Sequence, residues 1–199
     1  MELFHKMISA ALNISEKQIN NTLNLLKDGA TIPFISRYRK EVTGGLDEVQ
    51  IENIKNQYDK LCETAKRKET ILSTISEQGK LTAELQKRID DTWDTTELED
   101  IYLPYKPKRK TRAEAARQKG LEPLAVTLML QRENNLEAKV GSFVKGDVKD
   151  VEDALKGARD IIAEQVNEDE RARNTVRNQF SRQAEISAKV VKGKEEEAA

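Results

Sequence analysis

The chain has 199 residues, 34 of them basic and 35 acidic, and its formal net charge at pH 7 is −1. A charge this close to zero excludes a global field that would draw nucleic acid to the whole surface, so any such affinity must come from a local patch. The single cysteine excludes an internal disulfide and a multi-cysteine metal site, and the single histidine leaves no partner for a histidine-based catalytic triad. No apolar run approaches the roughly 20 residues that cross a bilayer, so we predict a cytoplasmic protein without membrane contact.

Two short helices joined by a tight turn are predicted at the N-terminus. The first covers residues 3–12, and Ser15 with Gln18 has the spacing of a capping box that begins the second. Gly29 is placed to end that second helix. The arrangement is typical of a helix-turn-helix. The exposed face of the second helix could read a DNA groove, or it could be the solvated face of a helical bundle.

A third helix is predicted over residues 33–40, with Phe34, Ile35 and Tyr38 available for burial. Three cations of this segment, Arg37, Arg39 and Lys40, face other directions. They could hold phosphates or pair with nearby acidic residues, and the sequence favours neither interpretation.

The longest helix is predicted at about residues 47–78, with Asp47 as its cap. Its apolar residues recur three and four apart, with Lys68 as the one interruption. A helix of about 48 Å needs other helices along its stripe, because propensity alone stabilises an isolated helix little. Trp93, which follows a shorter helix, is predicted to anchor helix packing.

Residues 98–124 carry the most unusual pattern in the chain. Thr95 is predicted to cap a short helix that stops at Pro104, because proline lacks the amide hydrogen and fixes φ. Tyr105 and Lys106 are then expected to be extended. Thr111 and Glu114 have capping-box spacing and predict a new helix.

Seven basic residues and one acidic residue lie between Pro104 and Lys119. Such a segment would bind phosphates in a salt-dependent way with little sequence preference, and the flanking Tyr102 and Tyr105 could stack on unpaired bases. The alternative is an intramolecular clamp onto acidic helices or onto another domain. The basic residues are Lys106, Lys108, Arg109, Lys110, Arg112, Arg117 and Lys119.

We therefore predict an all-α, elongated multi-helix array with one long central helix. Three parts are expected: a helix-turn-helix-like part at 1–45, a helical domain at 46–192, and a charged end at 193–199. An apolar helix at 124–132 is expected to be covered on most sides, and Asn167 to cap the last helix. Residues 186–191 are rich in β-branched side chains, so they are either one short strand or an extended tail.

The sequence holds no glycine-rich phosphate loop, nucleophile elbow or histidine–glutamate metal motif. Its acidic clusters occupy neighbouring helix positions, so their carboxylates point in different directions. We predict no catalytic residue, no metal site, no cofactor and no enzymatic activity.

Three strings resemble the bacterial Tex family of transcription accessory proteins: residues 30–49 (ATIPFISRYRKEVTGGLDEV), residues 77–82 (EQGKLT) and residues 98–124 (LEDIYLPYKPKRKTRAEAARQKGLEPL). The resemblance implies a cytoplasmic, mostly helical, RNA- or DNA-binding protein with a helix-turn-helix in its N-terminal region. It also implies that a ribonuclease-H-like domain, helix-hairpin-helix elements and an oligonucleotide-binding barrel follow in the same polypeptide, and that 193–199 is the end of a truncation. In the family the barrel is expected to dominate nucleic-acid binding.

The expected function is therefore a secondary, non-catalytic nucleic-acid surface in a Tex-like protein. Its phosphate contacts would come from Lys106, Lys108, Arg109, Lys110 and Arg112, extended by Arg37, Arg39 and Lys40. The alternative is a scaffold that positions the absent domains or docks a transcription or ribosomal protein, with the basic segment held on acidic protein surface.

Overall fold

The computed structural model describes residues 2–107, 111–133 and 135–193. Within these residues the chain is helical and has no strand, which confirms the predicted all-α class. The chain divides into two compact units, residues 1–99 and 100–199, and the division falls inside one helix. The division predicted at residue 45 stays a prediction.

Unit 1 contains six complete helices and most of a seventh. The long helix α5 has 30 residues and is about 45 Å long at the usual rise. It begins where predicted, with Asp47 and Gln50 forming a reciprocal capping box. The helices are α1 (Glu2–Leu12), α2 (Glu16–Lys27), α3 (Ile32–Tyr38), α4 (Lys40–Thr43), α5 (Glu48–Glu77), α6 (Ala83–Asp91) and α7 (Thr95–Tyr102).

The N-terminal half of α5 packs against the first three helices and contributes to the unit 1 core. Ile51 and Ile54 are fully buried against Ile8, Ile19 and Ile35 from the first three helices. The predicted capping box of Ser15 and Gln18 is confirmed at the start of α2. α1 and α2 follow each other across a short turn, and their assignment as a helix-turn-helix stays a prediction.

Lys68, the interruption in the stripe of α5, is only 6% exposed. Its ammonium group donates a hydrogen bond to the backbone oxygen of Asp90 at 2.8 Å and lies 3.6 Å from the centre of the Trp93 ring. Burial lowers the pKa of Lys68, and the neighbouring Asp90 opposes that shift. Trp93 also packs edge-on against Phe4, with ring centroids 5.4 Å apart, so its predicted anchoring role is confirmed.

Unit 2 is built on α11, which packs against α8 and α9. Its core is lined largely by small residues, among them Ala113, Ala116, Ala154 and Ala158. The unit comprises a 3₁₀ turn (Leu103–Tyr105), α8 (Arg112–Gln118), α9 (Glu122–Leu130), α10 (Leu136–Gly141), α11 (Val151–Glu168) and α12 (Glu170–Gln183).

Several local expectations were wrong. Helix α7 is capped by Asp94, whose carboxylate accepts the Glu97 amide hydrogen at 2.8 Å, rather than by Thr95. Helix α12 is capped by Asp169, whose carboxylate accepts the Ala172 amide hydrogen, rather than by Asn167. In both cases an aspartate within two residues of the predicted cap takes its place. Helix α9 buries Leu124 and Ala125 but leaves Val126, Met129 and Leu130 exposed.

The strand considered at 186–191 is absent from the described structure. These residues are exposed and non-helical, and Ile186 has its whole side chain in solvent. A six-residue strand needs a neighbour to satisfy its backbone hydrogen bonds, and the described residues supply none. Residues 186–191 are therefore irregular within the described chain, and pairing with residues outside it stays a prediction.

One buried ion pair joins the end of α7 to α12 within unit 2. Asp100 is 2% exposed, and its two oxygens accept hydrogen bonds from Arg173 Nε at 2.7 Å and from Arg177 Nη2 at 2.8 Å. Burial by itself would raise the pKa of Asp100, but the two arginines lower it, and the net direction is down. The carboxylate therefore stays charged at neutral pH inside the fold.

Gly157 of α11 packs closely against Ala116 of α8 and against Leu121, the residue that precedes α9. A Cβ atom at this position would lie 2.4 Å from Leu121 Cδ1 and 3.2 Å from Ala116 Cβ. Both neighbours are buried, and Leu121 has no exposed surface. We predict that Gly157→Ala destabilises the chain, because about 1–3 kcal/mol of overpacking outweighs about 1 kcal/mol gained in helix propensity. Thermal unfolding followed by circular dichroism would measure the change.

Gly141→Ala is the matched control, because this glycine also lies in a helix and a Cβ there would meet nothing within 4 Å. We expect it to be neutral or slightly stabilising. Equal melting temperatures for the two variants would contradict the close packing at Gly157.

The contribution of the buried Asp100 carboxylate to stability can be tested by substitution. Asp100→Asn should lower the free energy of unfolding at pH 7 by about 3 kcal/mol, because it leaves two arginines without their carboxylate. This is the lower end of the range for a broken buried pair, since the arginines are partly solvated. Since folding lowers the pKa of Asp100, its contribution is present above the ordinary carboxyl pKa near 4 and is lost as the pH falls below it. The difference between wild type and variant should therefore shrink below about pH 4. Urea unfolding at pH 7, 4 and 3 measures it.

Glu99→Gln is the neighbouring control. Glu99 also binds an arginine through both oxygens, with Arg67 Nε at 2.6 Å and Nη2 at 3.0 Å, but both side chains are well exposed. An exposed pair of this kind contributes at most about 1 kcal/mol. If Glu99→Gln lowered the free energy of unfolding as much as Asp100→Asn does, burial would not set the strength of these pairs.

Candidate nucleic-acid interface

The segment after α7 turns more tightly than expected. Residues Leu103–Tyr105 form a 3₁₀ turn with Pro104 inside it, and only Lys106 has extended backbone angles. Proline's fixed φ suits the first positions of such a turn, which explains why Tyr105 is not extended. Lys106 emerges from the turn with an exposed side chain.

Helix α8 begins as predicted but with half of a capping box. The Thr111 hydroxyl oxygen accepts the Glu114 amide hydrogen at 3.0 Å. The Thr111 hydroxyl hydrogen is donated to Glu164 on α11 at 3.0 Å. The cap is therefore tied to the unit 2 core by α11 rather than closed by the Glu114 carboxylate.

Of the four basic residues in this region that the structure describes, two form ion pairs within unit 2. Arg117 Nη1 donates to Glu164 Oε1 at 2.6 Å, and this hydrogen bond is the main cause of the raised pKa of Arg117. Lys119 Nζ lies 2.9 Å from a carboxylate oxygen of Asp153. The Lys119 contact, helped by the Lys149 amide, lowers the pKa of Asp153. These two cations are thus held on carboxylates of α11, and a clamp of the whole basic segment onto acidic protein surface stays a prediction.

Two others, Lys106 and Arg112, are exposed and form no ion pair with the described part of the chain. Arg112 lies on the same helix as Arg117, yet only Arg117 points at carboxylates. The predicted contact residues Lys108, Arg109 and Lys110 lie outside the described residues. Their role in binding phosphate stays a prediction, as does that of Lys106 and Arg112.

The two tyrosines predicted to stack on bases do not share one environment. Tyr102 is 6% exposed, so its ring faces are covered by protein and the stacking role is at odds with its position. Tyr105 is half-buried in the 3₁₀ turn. Tyr102 belongs to the apolar side of α7 together with Leu98 and Ile101, both buried, and this three- and four-residue spacing was the visible signal of its burial.

A second cationic surface lies on α3 and the start of α4 in unit 1. Arg37, Arg39 and Lys40 are all exposed. Arg37 approaches Glu48 at 3.6 Å, a long contact between two well-exposed side chains. Arg39 lies over the Phe34 ring, with its guanidinium carbon 5.2 Å from the ring centroid, and donates to the backbone oxygen of Tyr38. We call Phe34, Arg37, Tyr38, Arg39 and Lys40 the α3 surface.

The aromatic part of the α3 surface was missed from the sequence. Phe34 and Tyr38 were expected to be buried with Ile35, but they are 40% and 64% exposed while Ile35 is fully buried. A seven-residue helix can turn only one narrow side inward, and here Ile35 and Ser36 occupy it. The four-residue spacing of the two rings places them together on the opposite side.

No group of three or more histidine, cysteine, aspartate or glutamate side chains among the described residues is arranged to hold a metal ion. Within the same residues, no helix combines the length and apolar character that a membrane span requires.

Comparison with known proteins gives two family matches. The Tex-like protein N-terminal domain matches residues 2–76, and the Tex central region-like family matches residues 131–199. The transcriptional accessory protein Tex of Neisseria gonorrhoeae is 43% identical over 192 residues, which are 96% of this chain and 25% of that protein. Protein YhgF of Escherichia coli is 44% identical over 198 residues, 98% of this chain and 26% of that protein.

A more distant relative is human S1 RNA-binding domain-containing protein 1, 32% identical over 177 residues. The match covers 87% of this chain and 18% of the human protein. The chain thus spans about a quarter of the length of the bacterial relatives and less of the human one.

Proposed function

The chain belongs to the Tex family of transcription accessory proteins, and from that premise we propose that it provides a secondary, non-catalytic surface for nucleic-acid phosphates in the cytoplasm. The contacts come from exposed cations of two separate surfaces. In unit 1 they are Arg37, Arg39 and Lys40, and in unit 2 they are Lys106 and Arg112. We propose the same role for the basic residues between Lys106 and Arg112 in sequence, which lie outside the described residues.

One observation carries the proposal: exposed cations lie beside others that the fold has already paired. On α8, Arg117 contacts the carboxylate of Glu164 at 2.6 Å, whereas Arg112 is exposed and makes no ion pair with described residues. An arginine required for packing is expected to be paired in the same way, since an unpaired charge cannot be buried cheaply. Arg112 and Lys106 keep their charge available to a polyanion instead.

Phosphate binding by such surfaces follows from counterion release rather than from base recognition. Each lysine or arginine that neutralises a phosphate releases condensed cations from the nucleic acid. With a net charge of −1, the chain has no long-range attraction to support this, so the affinity should be modest and strongly salt-dependent.

The relatives' names agree with this direction. The Neisseria gonorrhoeae relative is named a transcriptional accessory protein, and the human relative is named for an S1 RNA-binding domain. Because this chain spans only part of each relative, nucleic-acid binding by the whole Tex protein is part of the proposal.

A second candidate is a docking scaffold, favoured by an apolar groove of unit 2. The groove lies between α11 and α12, has a volume of about 740 Å³, and exposes Val166, Val176 and Phe180. Exposed apolar side chains in one groove are typical of a protein contact. In this alternative the chain positions other parts of the Tex protein or binds a transcription or ribosomal protein.

The charge proposal predicts a change in the salt dependence of binding. In Lys106→Gln/Arg112→Gln and in Arg37→Gln/Arg39→Gln/Lys40→Gln, each removed phosphate contact should reduce the slope of log K against log salt by about 0.7 for single strands and 0.9 for duplex. Fluorescence anisotropy with a labelled 20-mer RNA and a 20-base-pair DNA, from about 20 to 200 mM salt, gives these slopes.

The control is Lys55→Gln/Arg159→Gln, which removes two exposed cations that already pair with Asp59 and Glu152. We expect its slope to equal that of the wild type. The proposal fails if the wild type does not bind at the lowest salt, or if both test variants keep the wild-type slope. In either case the docking scaffold would be the better function.

A further inference from the structure

The α3 surface combines exposed aromatic rings with exposed cations, and its geometry points to a more specific ligand. We infer that it binds single-stranded nucleic acid, with an unpaired base stacked on Tyr38 and the adjoining phosphates held by Arg37, Arg39 and Lys40. The inference rests on the proposed function and adds the substrate class to it.

Helix α3 is held in place by contacts with the rest of unit 1. Ile35 is fully buried in the unit 1 core, and the Ser36 hydroxyl lies 3.2 Å from Glu48 Oε1 at the start of α5. Arg39, the residue after α3, accepts a hydrogen bond through its backbone oxygen from the Thr43 hydroxyl at 3.2 Å. A ring carried on such a helix is ordered before a ligand arrives, which reduces the entropy lost on binding.

Of the two aromatic rings on α3, Tyr38 is the more accessible to a ligand. The Phe34 and Tyr38 centroids are 5.5 Å apart at an interplanar angle of 44°, and the Arg39 guanidinium lies over Phe34. Phe34 is therefore partly covered by its two neighbours. Tyr38 is 64% exposed, so much of its ring is accessible to a ligand.

Three exposed cations lie close to this ring along the chain: Arg37 and Arg39 are its chain neighbours, and Lys40 follows. The ion pair of Arg37 with Glu48 is long and exposed, so a phosphate can compete with it at little cost. An exposed ring on the same short segment as several cations can take a base and its adjoining phosphates together.

These features favour a single strand over a duplex or a protein. The bases of a duplex are stacked on each other, so their faces are not available to Tyr38, whereas every unpaired base offers one. A protein partner would favour a broad apolar patch, but here the two touching rings are the whole apolar part and exposed cations border them. A duplex could use only the phosphate contacts.

The test measures single-strand and duplex binding of the 199-residue chain separately. The probes are a fluorescein-labelled uridine 20-mer and a labelled 20-base-pair DNA at about 50 mM salt. Stacking contributes enough per base that Tyr38→Ala should weaken single-strand binding at least about fivefold. Tyr38→Phe keeps the ring face, so both of its affinities should stay within about twofold of the wild type, as should the duplex affinity of Tyr38→Ala.

Val49→Ala is the matched control, because Val49 is an apolar side chain of unit 1 that is as exposed as Tyr38, at 64%, and has no ring. It should bind both probes like the wild type. If Tyr38→Ala lowers the melting temperature, Tyr38→Leu keeps the apolar bulk without a π face and should show the same selective loss.

Three results would overturn the inference: Tyr38→Ala binding the single strand like the wild type, losing both probes equally, or matching Tyr38→Phe. If the cation variants still lose salt dependence in those cases, the phosphate surface stands and only base stacking fails. If the wild type binds neither probe, both proposals fail together.

Discussion

Pairing with buried or half-buried carboxylates ties several cations of this chain into its fold. Asp100 takes hydrogen bonds from two arginines of α12, and Glu164 takes one from Arg117 and one from Thr111. With 34 basic and 35 acidic residues, total charge does not separate structural cations from functional ones. The contacts of each cation do, because removing a charge from water is tolerated only beside groups that compensate it: carboxylates for the arginines, and a carbonyl with an aromatic ring for Lys68.

The same constraint explains why the two cationic surfaces differ in character. In unit 2 the small-residue core brings α8 close to α11, so Arg117 and Lys119 meet carboxylates on the facing helix. In unit 1 the short helix α3 meets α5 mainly through Ile35 and the Ser36–Glu48 contact. Ile32 packs partly against the same core, and the other side chains of α3 are left to solvent, two of them aromatic. The exposed rings are thus a consequence of helix length and anchoring, and they turn a cationic patch into one that also offers a flat apolar face.

Local signals in the sequence predicted much of the helical framework. The capping box at Ser15, the cap at Asp47 and the stripe of α5 each depend on residues within a few positions of one another, and the structure bears them out. Exposure was predicted less well, because it depends on what a distant segment places opposite. Tyr38 and Tyr102 each follow an apolar residue at four positions, Phe34 and Leu98, but one tyrosine is exposed and the other buried. Lys68 interrupts the apolar stripe in the sequence, and only the structure shows that the Trp93 ring and the Asp90 carbonyl cover it.

A weak surface has a physical use when it is part of a much longer polypeptide. The bacterial relatives are about four times the length of this chain, and the human relative is named for an S1 RNA-binding domain. Once one domain of such a protein holds a strand, a second surface meets that strand at an effective concentration near millimolar, so a modest intrinsic affinity is enough to engage it. Strong binding at α3 would instead hold the strand in place independently of the other domains. A few exposed cations around one open ring, on a chain with a net charge of −1, have the strength expected of such a secondary contact.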